Sequence, residues 1–370
     1  MTYGNQSHHS GYCKRTAAFP QHSFKENSKE EKLNYSAELR RLKDFGPERL
    51  YLLWGPEDYL REQYLGQLKK ICLPEGEDSF SYKRINGPEL DMHELRMAVD
   101  AMPFMTERSL VELRSVDINA CKDSDKMLAI LKDIPDYCTV AIVQDAQYEP
   151  DGRLKLIKGI RQCALELKFT AQSQGMLIDW LIRRFSAAGK SIELEAAQRL
   201  IFISGDLMSR LIPEIEKVAA YAKGDRVTVA DVEAVANHIP EAVVFDMTEY
   251  IAQKKYNTAM AVLAELISDK NNAPIAMVAM IGQQMRRLYG AKLASAQPDG
   301  MKALMDACGI KYEFIAKKLI ASARGFTLPQ LVRAVELCAD ADYKMKSSST
   351  DDTELLKELV LRIAAGEADA

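Results

Sequence analysis

The sequence predicts an α/β domain built on a parallel sheet, followed by an all-α remainder in two blocks. Three observations carry that expectation. From about Glu30 to Thr170, short apolar runs rich in strand formers alternate with helical periods. After Thr170 strand patterns nearly vanish, and Pro240 divides the helical remainder. Strand, helix, strand alternation at this spacing favours parallel strands with helices on both faces.

The expected strands are 50–54 (LYLLW), 81–85 (SYKRI, the weakest), 109–113 (SLVEL), 138–143 (CTVAIV) and 164–169 (ALELKF). Between the first two, Leu60, Tyr64, Leu68 and Ile71 are spaced four, four and three, which lines one helix face with apolar residues. Beyond Thr170, helices are expected at about 174–188, 193–203, 206–222 and 229–238. Thr228 opens the last of these with Asp231 three residues on, a variant of the capping box. Past Pro240, Ala259, Val262, Leu263, Leu266 and Ile267 form one broad apolar stripe. The expected organisation is a leader over 1–29, an α/β domain over 30–170, a small helical lid over 171–240 and a helical block over 241–370. The leader is rich in Ser, His, Gln and Asn without a hydrophobic period, which predicts disorder. Its first 25 residues lack acids but hold only three Lys/Arg and no amphipathic pattern, a poor match to a transit peptide.

Composition excludes several classes. A chain of 370 residues suggests two or three domains, and 47% hydrophobic with 28% charged residues is ordinary for globular protein. No apolar run approaches the roughly 20 residues of a membrane span, so no membrane is expected. A net charge of −4 offers no global basic field for nucleic acid. The seven cysteines are odd in number, scattered and free of C-x-x-C pairs, which reads as a reducing, cytoplasmic setting. His8 and His9 have no neighbours to complete a metal shell, so no metal is expected.

The turn at Gly55 resembles a phosphate-binding loop in layout. That loop, G-x-x-x-x-G-K-[ST], needs backbone N–H groups turned towards phosphate, a lysine and a magnesium-holding hydroxyl. Here Pro56 removes a donor, and Glu57 and Asp58 would face a polyanion. At a helix start the two acids instead favour the positive end of the dipole and are expected to cap their own helix. Gly189-Lys190-Ser191 mimics the motif's end but follows a helical segment, and reads as a helix stop. After 138–143 the chain shows Gln144-Asp145-Ala146-Gln147 rather than the consecutive acids that hold magnesium in hydrolysing sites. No catalytic residue emerges. Arg286-Arg287 and Lys344 with Lys346 read as solvated helix faces.

An α/β block with a helical lid resembles the AAA+ module, and a third helical block resembles clamp-loader subunits. Three segments narrow the resemblance to the delta-subunit family of the bacterial DNA polymerase III clamp loader. YLLWGPEDYL is similar to its opening strand and degenerate loop. AMPFMTERSLVELR (101–114) is similar to its apolar-Pro-Phe segment and following strand, and SGDLMSRLIPEIEKVAAYA (204–222) with VTVADVEAV (227–235) to its lid. The resemblance covers about residues 30–370. ATP-hydrolysing relatives carry a sensing arginine after Gly-Asp-Leu; here Gly205-Asp206-Leu207 is followed by Met208. No Ser-Arg-Cys motif occurs, the nearest look-alike being Arg161-Gln162-Cys163.

The resemblance implies a degenerate AAA+-like, non-ATP-binding subunit of the DNA-directed DNA polymerase III holoenzyme, a nucleotidyltransferase, with no catalytic activity or cofactor of its own. It implies that Met102, Pro103, Phe104 and Met105 form a wedge entering an apolar pocket of the ring-shaped sliding clamp (beta subunit). Met102 stands where leucine is common, a volume-conserving change. The implied partners are that clamp, the gamma/tau ATPase subunits, delta-prime and, through the complex, primed DNA. Two other readings stay open on the residues: a delta-prime-like subunit, which usually has the missing Ser-Arg-Cys motif, and a divergent AAA+ ATPase.

Overall fold

The computed structural model describes residues 33–366 apart from 75, 77–79, 88–89, 270 and 348–349. The expected leader at 1–29 lies outside the described residues. Helix α1 (Tyr35–Phe45) precedes β1 (Leu50–Trp54), α2 (Asp58–Cys72), β2 (Tyr82–Asn86), α3 (Met92–Asp100), β3 (Ser109–Arg114), α4 (Ser124–Lys132), β4 (Cys138–Val143), α5 (Lys155–Cys163) and β5 (Leu165–Lys168). These strands form one parallel sheet in the order β2-β3-β4-β1-β5.

Central β1 and β4 are buried throughout, and β3 nearly so, which is why they read as unbroken apolar runs. The weakest expected strand, β2, is an edge strand and buries only Ile85. Alternation along β1 feeds two cores. Tyr51 and Leu53 pack in the cluster that holds Tyr64, Leu65 and Leu68 of α2. Leu50, Leu52 and Trp54 join Leu95 of α3, Met127 of α4 and Ile157 of α5 on the other side. The expected face of α2 drifts at its end. Leu60, Tyr64 and Leu68 are buried, but Ile71 is 38% exposed and Cys72, a further step of four, takes the core position.

The remainder is helical, as expected, apart from one small strand pair. It comprises α6 (Gln174–Ala187), β6 (Ser191–Ile192), α7 (Leu194–Ser204), α8 (Met208–Tyr221), β7 (Arg226–Val227), α9 (Val229–Val235), α10 (Pro240–Ala252), α11 (Tyr256–Ser268), α12 (Pro274–Ala294), α13 (Gly300–Cys308), α14 (Glu313–Ser322), α15 (Leu328–Ser347) and α16 (Asp352–Ala365). Thr228 and Asp231 form the reciprocal capping box on α9. That helix stops at Val235 rather than 238, because two amides are claimed from outside it. Asn237 N–H donates to Glu214 at 2.9 Å and Ile239 N–H to Ile203 O at 2.6 Å. Gly189 and Lys190 turn the chain from α6 into β6, which begins at Ser191, with Gly189 at φ 74° and Lys190 Nζ donating to the carbonyls of Ala222 and Gly224. In α11, Ala259, Leu263 and Leu266 are buried while Val262 and Ile267 are half-buried. Among the described residues no helix is long and apolar enough to cross a membrane.

Candidate protein-docking site and the loop at Gly55

Gly55 follows β1 at φ 114°, and a Cβ there would lie 2.3 Å from Phe169 O, so this turn requires glycine. Two of the loop's amides are engaged within the chain. Glu57 N–H donates to Phe169 O at 3.1 Å and Asp58 N–H to Pro56 O at 3.1 Å. Counting from Gly55 in the phosphate-loop pattern places Leu60 at the second glycine and Arg61 at the lysine, a correspondence the sequence reading missed. Arg61 is buried, donates from Nη1 to Gly55 O at 2.7 Å and pairs through Nη2 with Asp58. Its charge is turned back on the loop itself.

The expectation that Glu57 caps its own helix is corrected. Its side chain makes no capping bond to α2; Oε2 instead accepts the N–H of Met208, the first residue of α8, at 3.0 Å. Because α2 packs on α8, the open amides of α8 face the loop and draw in the carboxylate. Asp58 does lie in the first turn of α2. Glu57 is fully buried, and its Oε1 has no hydrogen-bond partner among the described residues. Burial pushes its carboxyl up to about 7; the nearby amides of Met208 and Tyr59 oppose the rise, and Asp58 and Asp206 add to it. Met208, expected as a degenerate sensor, is itself buried, and two residues earlier Asp206 accepts from Lys311 Nζ at 3.0 Å and Tyr312 O–H at 3.1 Å. Three sequence-distant segments therefore meet where the loop and α8 touch.

The tetrapeptide Met102–Met105 lies elsewhere. The loop follows the C-terminal end of β1, whereas the tetrapeptide precedes the N-terminal end of β3, so in a parallel sheet they occupy opposite ends. Met102 is 78%, Phe104 60% and Met105 76% exposed, with Pro103 half-buried. Buried Ser81 anchors the segment: its Oγ accepts Phe104 N–H at 2.9 Å and lies 2.6 Å from Thr106 Oγ1. Ser81 and the neighbouring Phe80 were not singled out from the sequence; a phenylalanine just ahead of a polar edge strand is the signal that was available.

The sequence matches the family model described as DNA polymerase III, delta subunit, over residues 51–170, and that of the same subunit's C-terminal domain over residues 241–363. The chain belongs to the DNA polymerase III delta-subunit family. It is 23% identical over 323 residues to DNA polymerase III subunit delta of Bacillus subtilis (strain 168), covering 85% of this chain and 92% of that relative. It is 22% identical over 324 residues to the probable DNA polymerase III subunit delta of Aquifex aeolicus (strain VF5), covering 85% and 90%. Among solved structures, the Bacillus subtilis DNA clamp loader delta protein is 21% identical with a TM-score of 0.49, covering 90% of this chain and 99% of that one. In this delta-family chain the loop at Gly55, Pro56, Glu57 and Asp58 and the exposed tetrapeptide both fall in the first matched stretch, and Met208 falls between the two.

Proposed function

We propose that this delta-family chain is the clamp-loader subunit that binds the sliding clamp and favours its opened form, for loading onto primed DNA. The observation that carries the reading is the apolar tip: Met102, Phe104 and Met105 all stand in solvent at the end of α3, on a segment tied to the sheet through Ser81. Large exposed apolar groups grouped together are a mark of a docking surface. Opening requires the tip to fit the open ring better than the closed one. The domain reading goes with it: an AAA+-like α/β domain at 30–170, a lid at 171–240 and a collar at 241–370 that assembles with gamma/tau and delta-prime. The edges of the two matched stretches, 170 and 241, support those joints.

The chain is read as making no use of ATP itself. Two loop amides engaged by the chain's own carbonyls, Arg61 closed on Asp58 and the carboxyl of Glu57 seated at α8 support that reading, because each removes a donor from a polyphosphate or sets an acid beside it. Nucleotide control would come from the sister subunits.

The test replaces Met102 and Phe104 together by Ala. Each side chain buried in a pocket contributes about 1.5–3 kcal/mol, and central apolar anchors behave as hot spots costing about 2 kcal/mol or more. Clamp affinity should fall roughly a thousandfold, less if the two losses overlap. Melting should stay within about 2 °C, because exposed side chains add little to the core. Undiminished clamp binding by this variant would sink the reading.

A further inference from the structure

Around the tetrapeptide the apolar surface is wider than the sequence segment. Phe80, just before β2, is 90% exposed, and its ring meets that of Phe104 edge-on at 6.0 Å between centroids. Met97, on α3, is 62% exposed and lines, with Phe80 and Met102, a groove of about 370 Å³ between α3 and the start of β2. Two aromatic rings paired in water, beside three exposed methionines, hold apolar area where folding alone provides no reason for it.

The shape of this surface is held under strain. Met105 has φ 58°, a left-handed conformation uncommon for a residue with a Cβ, while its side chain stays exposed. The residues on either side of it are both tied to Ser81: the Phe104 N–H at 2.9 Å, the Phe104 carbonyl at 3.2 Å and the Thr106 hydroxyl at 2.6 Å. Thr106 Oγ1 also lies 2.8 Å from Arg108 O, and its single proton goes either there or to Ser81 Oγ, so the two hydroxyls satisfy two of these three contacts at a time. Ser81 is in turn set by the sheet, since its carbonyl accepts Leu110 N–H at 2.8 Å. Such a conformation persists only where its surroundings over-determine it, and a segment already in its bound shape avoids the ordering cost of docking.

We infer that Phe80 and Met97 belong to one docking surface with Met102, Phe104 and Met105, and that Ser81 is the positioning residue that keeps this surface in its binding shape. The partner it fits is a folded protein with a concave apolar pocket; taking it as the sliding clamp rests on the function proposed above. Phe80 is a second anchor, reached from β2 rather than from the tetrapeptide.

The experiment uses the full chain and the clamp of the same organism, with surface plasmon resonance and melting curves on four variants. Phe80→Ala should weaken binding at least tenfold without a change in melting. Ser81→Ala should weaken it several-fold and speed hydrogen exchange at the Phe104 amide. Added to the Met102→Ala/Phe104→Ala variant, Ser81→Ala should cost clearly less than it does alone, because it acts largely through those side chains. Wild-type affinity in Phe80→Ala, or a Ser81→Ala loss that persists in full in the wedge-variant background, overturns the inference. If either happens while the wedge variant binds weakly, the clamp-binding reading survives and only this extension fails. Wild-type affinity in the wedge variant defeats both.

Discussion

Glu57 is fully buried, and its carboxyl is pushed from an ordinary 4.5 to about 7 in the fold. Between those values the folded chain holds the proton more tightly than the unfolded one. This group's contribution to stability is therefore fully present below about 4.5 and is lost as pH rises through about 7. The loss is on the order of 3 kcal/mol. Glu57→Gln keeps an acceptor for Met208 N–H but does not titrate, so its stability should vary less with pH across this window than that of the parent chain. Urea midpoints at several pH values check it; an unchanged slope would mean the carboxyl is not the titrating group. Residue type alone sets Glu57 against a polyphosphate, since both carry negative charge. Its partner, 151 residues away in sequence, leaves no local trace.

At the scale of elements, edge strand β2 is tied down by a buried carboxylate. Glu112 of β3 is fully buried and accepts from Tyr82 O–H at 2.6 Å on β2, Lys69 Nζ at 2.8 Å on α2 and Arg114 Nε at 2.7 Å. Burial by itself would raise this carboxyl, but the hydrogen bonds from Lys69, Tyr82 and Arg114 outweigh it and hold it below its usual range. Its stabilisation is present above the ordinary carboxylate range and is lost as pH falls through the folded value. Glu112→Ala would remove the buried acceptor that Lys69, Tyr82 and Arg114 share and cost roughly 3–5 kcal/mol, the cost of breaking a buried pair. The variant should melt several degrees lower, with β2 amides exchanging first by hydrogen exchange. A melting curve unmoved by the change would show that the edge strand does not depend on this network. The alternation of strands and helices was legible in the sequence; this cluster was not, because Glu112 sits inside the apolar-looking run SLVEL.

For the whole molecule, the core on the α2 side of the sheet continues through α6 to α9 into α10 to α16. One joint in it is aromatic. Phe202 of α7 packs edge-on against Phe245 of α10 at 4.9 Å and Phe314 of α14 at 6.3 Å. Removing a buried phenylalanine costs about 3–5 kcal/mol. Phe202→Ala should therefore lower stability by that order and loosen helices α6 to α9 from those after Pro240, splitting one calorimetric transition into two. A single transition at the parent temperature would show that other contacts carry the joint.

Periodicity accounts for the parallel sheet, the helical remainder and the α9 capping box, since each rests on neighbours two to four residues apart. Composition at single positions accounts for a loop without a phosphate cradle, since Pro56 lacks a donor and Met208 lacks a charge whatever surrounds them. Packing alone brings Glu57 to the start of α8, Asp206 to Lys311 and Tyr312, and Phe80 to Phe104. The physical reason is the range of the interaction. Backbone hydrogen bonding and side-chain direction repeat along the chain and so write a pattern into it, whereas a side-chain contact between segments depends on how whole elements stack, which no local spacing encodes.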